Sequence, residues 1–174
     1  MEDYNELIQQ RFKKLAEISA MGKKPYGGRF DVTTTAQALI DTYGSTTKED
    51  LEKKRVDATV AGRIVAMRSF GKACFSHLQS DLGKIQLYFQ KNTLGEEKFA
   101  LFQKLDIGDF IGVKGFLFRT RTNELTLDVE DFTLLSKSLR PLPEKWHGLT
   151  DVEIRYRQRY VDLIVNPEVK KVFL

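Results

Sequence analysis

An aromatic ring and a carboxamide on the same side of a β-sheet can recognise a nucleic-acid base together. The ring stacks on the base and the amide reads its edge. Residues 73–90, ACFSHLQSDLGKIQLYFQ, carry that combination. They form two runs of strand-forming residues joined by Ser-Asp-Leu-Gly, with Asp and Gly suited to a tight connection. Side chains alternate faces along a strand. Leu78, Ile85, Leu87 and Phe89 are then the core set, and Phe75, His77, Gln86 and Tyr88 face outward. Taken alone, the stretch leaves open a Phe75 buried under a loop or another domain.

Other chemistries find little support in the composition. The chain has 174 residues and a formal net charge of +4, mildly basic and compatible with a nucleic-acid partner. A single cysteine, Cys74, excludes an internal disulfide and a cysteine-based zinc cage. Two histidines far apart, His77 and His147, argue against a metal site, and no catalytic constellation is expected. No apolar run approaches the ~20 residues of a membrane span. The first residues include Glu2, Asp3 and Glu6 with no apolar core of a signal peptide, so the reducing cytoplasm is expected.

The elements that must position the outward face follow from periodicity. Residues 2–20 predict a helix with Ile8, Phe12 and Leu15 on its docking stripe and Arg11, Lys13 and Lys14 off it. Lys23 to Gly28 breaks it, residues 33–43 predict a short threonine-capped helix, and Thr47 could start one more turn. From Val56 the period changes to two, giving a long strand that Gly62 bends or bulges. After the hairpin, residues 95–105 predict a helix with Phe99, Phe102 and Leu105 on one face. Residues 110–119 and 124–134 predict two more strands, the last with Leu125, Leu127 and Val129 inward and Glu124, Thr126, Asp128 and Glu130 outward.

Three strands, a helix and two strands in about 80 residues fit a five-stranded Greek-key barrel, the OB-fold, whose second and third strands bear the nucleic-acid face. Residues 1–55 are expected as an N-terminal helical extension, 56–135 as the barrel, 136–150 as a linker and 151–174 as the start of a further helical domain. The barrel carries ten Lys plus Arg and ten Asp plus Glu, so it is no general phosphate binder and recognition would rest on stacking and hydrogen bonds. Two prolines, Pro141 and Pro143, favour an extended linker, with the Trp146–Leu149 region anchoring it. A helix is predicted over 151–164, and Asn166-Pro167-Glu168 starts another that has few residues to run, which reads as truncation of a longer protein.

From Val60 to Asn166 the chain closely resembles bacterial-type class II lysyl-tRNA synthetases. The resemblance is carried by Gly71-Lys72-Ala73, Gly83-Lys84-Ile85-Gln86-Leu87-Tyr88, Leu105-Asp106-Ile107-Gly108-Asp109, the stretch from Leu134 to Pro143, and Arg155-Tyr156-Arg157-Gln158-Arg159-Tyr160-Val161-Asp162-Leu163-Ile164. It implies an anticodon-binding OB domain for tRNA(Lys), fused in the parent to a class II catalytic domain that uses ATP and Mg²⁺ and forms a homodimer. The motifs that hold ATP would lie beyond residue 174, so the chain alone is expected to bind without catalysing and to need no cofactor. By position the resemblance assigns Phe75 to stacking on the central uridine, Gln86 to its edge, Arg68 to a basic contact beside it, and Glu124 to a flanking base. His77, Lys72 and Lys84 are accessory candidates. Arg155, Arg157 and Arg159 are expected to pair with the missing domain or a second subunit. The turn tip Asp81-Leu82-Gly83 departs from the family's usual small polar turn, and Asn123 stands where the family often has Gly, so a shifted Glu124 is expected. Competing readings are an aspartyl- or asparaginyl-type anticodon domain, a non-specific single-strand binder and a protein-interaction barrel.

Overall fold

The computed structural model describes residues 2–80, 83–142, 149 and 151–173. Residues 1–139 form one compact unit and residues 140–174 another. In the first, β1 (Asp57–Phe70), β2 (Ala73–Ser80), β3 (Gly83–Gln90), β4 (Phe110–Arg119) and β5 (Leu125–Ser136) close a barrel in the order β1-β2-β3-β5-β4. Only β3 and β5 run parallel. This is the expected five-stranded OB-fold barrel. Val60, Ile64, Leu78, Leu87, Phe89, Ile111, Val113, Leu127 and Val129 are fully buried inside it. Each large apolar side chain so buried contributes about 1.5–3 kcal/mol before entropy is charged.

The long β1 does bend, but the irregularity falls between Ile64 and Ala66 rather than at Gly62. Gly62 is needed for another reason: a Cβ there would lie 2.5 Å from the Gln79 carbonyl oxygen. In β5 a second irregularity opposite Lys114 and Gly115 shifts the alternation, so that Leu127 and Val129 face the core before it and Phe132 and Leu134 after it. The helix between strands three and four is α4 (Lys91–Phe102), which starts four residues earlier than its periodicity indicates and kinks at Gly95, where φ is 79°. Its Phe102 stacks on Phe89 of β3 at 4.2 Å and meets Phe132 of β5 edge-on at 6.0 Å.

Before the barrel lie α1 (Glu2–Ala20), α2 (Ala36–Tyr43) and α3 (Lys48–Lys53). Thr35 and Thr47 cap the two short helices, each accepting a backbone N–H three residues on. The docking face of α1 keeps part of the apolar stripe expected, with Ile8 and Leu15 half-buried and Ile18 fully buried, but it turns Phe12 out and Arg11 in. Phe12 is 52% exposed and Arg11 only 9%. The reason is polar. Arg11 donates to the backbone carbonyls of Ile107 and Ser138, and Lys14 to Asp106 at 2.5 Å.

That contact extends into a buried ionic cluster. Lys137 lies just past β5, where an extended linker is expected, and is 3% exposed. Its ammonium donates to Asp106 at 2.6 Å and to both Asp109 oxygens at 2.9 and 3.1 Å. Burial works to raise the Asp106 carboxyl, but the hydrogen bonds from Lys137 and Lys14 prevail and hold it below its ordinary value. A depressed carboxyl contributes stability that is present above its unfolded value, about 3.9, and lost as pH falls through the folded one. Asp109 runs the other way: burial lifts it, so its own protonation in the fold offsets part of that loss. Urea midpoints should therefore fall in acid below about pH 4, and Asp106→Asn should flatten that limb; an unchanged acid limb in the variant would remove Asp106 as its cause.

In the second unit, α5 (Val152–Arg157) and α6 (Arg159–Val165) replace the single helix expected over 151–164, broken at Gln158, and α7 (Pro167–Val172) follows. Asp151 caps α5. Arg155 and Arg159 both pair with the buried Asp162, at 3.0 and 2.5 Å, and Arg157 pairs with Glu153. Those arginines thus each have an acidic partner within the unit. Trp146, His147 and the turn tip Asp81-Leu82 lie outside the described residues.

Candidate nucleic-acid interface

The two-residue connection of β2 and β3 pairs Ser80 with Gly83, and the register follows back along the hairpin. Phe75 therefore faces Tyr88, and His77 faces Gln86. Residues opposite one another on paired strands share a face. With β1 and β5 added, one row reads Arg68, Phe75, Tyr88, Asp128 and the next Ala66, His77, Gln86, Thr126. Phe75, His77, Gln86 and Tyr88 all point away from the core, while their neighbours Cys74, Ser76, Leu78, Ile85, Leu87 and Phe89 are buried. No loop of this unit buries Phe75 completely: the residue is half-buried on the outer face of the barrel.

The rings make a platform. Phe75 and Tyr88 stack with centroids 4.6 Å apart and planes at 26°. Phe70 meets Phe75 edge-on at 6.5 Å, and Phe118 of β4 meets Tyr88 at 6.0 Å. Stacked and edge-to-face contacts of this kind hold the rings in place before any ligand arrives. Beside them runs a chain of polar groups. Thr126 Oγ1 donates to Gln86 Oε1 at 2.8 Å, and Gln86 Nε2 donates to Glu124 Oε2 at 2.7 Å. His77 Nε2 lies 3.1 Å from Glu124 Oε1 and must carry the proton there, since an ionised carboxylate only accepts.

Glu124 is held from below. Arg119 is 8% exposed and donates to four backbone carbonyls, those of Tyr43, Gly44 and Thr46 in the α2–α3 connection and of Asn123 in the β4–β5 turn. The Glu124 N–H donates to Thr120 Oγ1. Asn123 takes φ 63°, the left-handed conformation a glycine would adopt and one that Asn tolerates. The turn is therefore kept, and Glu124 reaches the hairpin face despite the substitution.

Of the other expected site residues, Arg68 is exposed and directly opposite Phe75 in the sheet. Lys72 is exposed in the β1–β2 turn, and Lys84 is exposed at the start of β3, on the Gln86 side. Asp128 lies in the row of Phe75; burial raises its carboxyl above the ordinary range. Phe75, Gln86, Glu124, His77 and Arg68 are thus brought onto one surface, with Lys72 and Lys84 at its margins. Thr126 and the second ring, Tyr88, complete it; both read as outward-facing from the sequence, but neither is among the expected site residues. Among the described residues no group of three or more His, Cys, Asp or Glu is placed to hold a metal ion. None of the described helices is long and apolar enough to cross a membrane.

Comparison with known proteins gives this surface a context. Residues 58–135 match the OB-fold nucleic acid binding domain family. Over 99% of its length the chain is 55% identical to a lysine–tRNA ligase of Pelotomaculum thermopropionicum and 54% identical to one of Carboxydothermus hydrogenoformans. The lysine–tRNA ligase of Bacillus subtilis is 46% identical over the same share. The chain spans about a third of the length of these relatives, 33–35%. Residues 58–135 thus match an OB-fold nucleic acid binding domain, in a chain similar over 99% of its length to bacterial lysine–tRNA ligases.

Proposed function

We propose that the barrel binds the anticodon stem-loop of a lysine tRNA on the outer face of β2 and β3. Phe75 stacks on the central uridine, Gln86 hydrogen-bonds the edge of that base, Arg68 makes a basic contact beside it, and Glu124 faces a flanking base. His77, Lys72 and Lys84 are accessory contacts. The observation that carries this reading is the adjacency of a pre-stacked ring and an oriented amide on one open sheet face. The equal numbers of acidic and basic residues between Val56 and Leu135 favour base reading over indiscriminate phosphate binding.

For the whole protein we propose ATP-dependent joining of lysine to its tRNA, with ATP and Mg²⁺ bound outside these residues, as a cytoplasmic homodimer. The part played by residues 1–139 is to select the tRNA. Large apolar side chains exposed in the second unit, Tyr156, Tyr160 and Phe173 among them, suit cover by other parts of a longer protein.

The test is Gln86→Ala. Losing its hydrogen bonds should cost about 0.5–1.5 kcal/mol net with an RNA hairpin carrying UUU. It should also flatten the preference over an otherwise identical hairpin with another central base. Full retention of that preference would place the reading group elsewhere.

A further inference from the structure

Both carboxylate oxygens of Glu124 are engaged within the protein, one by His77 and the other by Gln86. That engagement settles which end of the Gln86 amide is nitrogen, because an ionised carboxylate accepts and never donates. The buried Thr126 hydroxyl cannot settle it. Its oxygen lies 2.8 Å from Gln86 Oε1 and 3.1 Å from the Glu124 carbonyl oxygen. Were the amide turned over, the hydroxyl would accept from nitrogen and donate to that carbonyl instead. The choice of polarity therefore rests with Glu124, and His77 holds Glu124 in place to make it.

Polarity matters to the two pyrimidines. With one N–H given to Glu124 and one lone pair to Thr126, Gln86 keeps one N–H and one lone pair, in fixed order. Uridine offers an acceptor beside a donor at O4 and N3–H. Cytidine offers the reverse, a donor beside an acceptor at the exocyclic N4 and N3. An amide free to turn over pairs with either base, and an amide held one way pairs with one.

We infer that Glu124 is a positioning residue for Gln86, and that this lock on amide polarity sets the preference for uridine over cytidine at the central position. The inference rests on the anticodon-binding reading, and it gives Glu124 a role in addition to facing a flanking base.

The chain, Glu124→Gln and Glu124→Ala are titrated with RNA hairpins carrying UUU, UCU, CUU and UUC in the loop. Wild type should prefer UUU to UCU by about tenfold or more, the scale of a well-made bidentate contact. In both variants that ratio should shrink to within about twofold, largely because the UCU hairpin gains affinity once the amide can turn. In the free protein, the side-chain amide resonances of Gln86 should move in Glu124→Ala, reporting the lost carboxylate partner. If the variants lose only the UUU over CUU or UUC preference and keep the central one, the lock is overturned and direct flanking-base contact stands. If wild type itself shows no preference for UUU over UCU, the anticodon-reading role falls and takes the lock with it.

Discussion

Replacing Lys137 with methionine is expected to destabilise the barrel by about 3–5 kcal/mol, the scale for removing one partner of a buried ion pair. The side chain is fully enclosed, and its ammonium contacts Asp106 and Asp109 together. Asp109 is itself fully buried and also accepts the backbone N–H groups of Asp106 and Ser138. Methionine fills a similar volume but leaves that carboxylate without its cation. The loss should therefore come from an unpaired buried charge rather than from a cavity. A second variant separates the two causes: Lys137→Met combined with Asp109→Asn removes the charge as well, and should recover part of the stability. Urea denaturation followed by circular dichroism, with amide exchange reporting on β1 and β4, measures both. A single variant as stable as wild type would show that water reaches the cluster, and that the α1 contacts made by Arg11 and Lys14 do not depend on it.

The Lys137 cluster also marks the limit of what periodicity reveals. The barrel strands were legible because each alternates cleanly: Val60 and Ile64 in β1, Leu78 in β2, Ile85, Leu87 and Phe89 in β3 are all buried. Lys137 was not, because a lysine after a strand reads as solvated, and the carboxylates that bury it sit in a loop nearly thirty residues earlier. The same cause misled the reading of α1. Its apolar stripe included Phe12, which is exposed, whereas Arg11 joins Ile8, Leu15 and Ile18 on the docked face by reaching acceptors on the 106–109 loop and on Ser138, which a helical wheel does not contain. Within the site, the facing of Phe75 with Tyr88 and of His77 with Gln86 follows from a two-residue hairpin connection alone. Thr126 and the closing of Glu124 onto Gln86 do not. They depend on the parallel pairing of β3 with β5, set by how the whole sheet closes rather than by any local signal.

Phe75→Ala should weaken binding of a UUU anticodon hairpin by about 1–3 kcal/mol, the worth of stacking one base on an aromatic side chain. The ring does not wait to be organised by the ligand. One face is already held against Tyr88 at 4.6 Å, and the edge of Phe70 approaches it, so little ordering cost falls on binding. A stack is indifferent to which base it carries, since each has a π-face. The loss should therefore be similar for UUU and UCU hairpins, leaving the ratio between them near its wild-type value, whereas Gln86→Ala lowers that ratio. The salt dependence of affinity should also stay as it is, because the ring touches no phosphate. Tyr88→Ala should reproduce part of the effect by removing the support beneath Phe75. Titration of both variants at two salt concentrations measures these differences. Wild-type affinity in Phe75→Ala, or a loss confined to one central base, would mean that the base lies elsewhere on the barrel and that the Phe70–Phe75–Tyr88–Phe118 track serves packing alone.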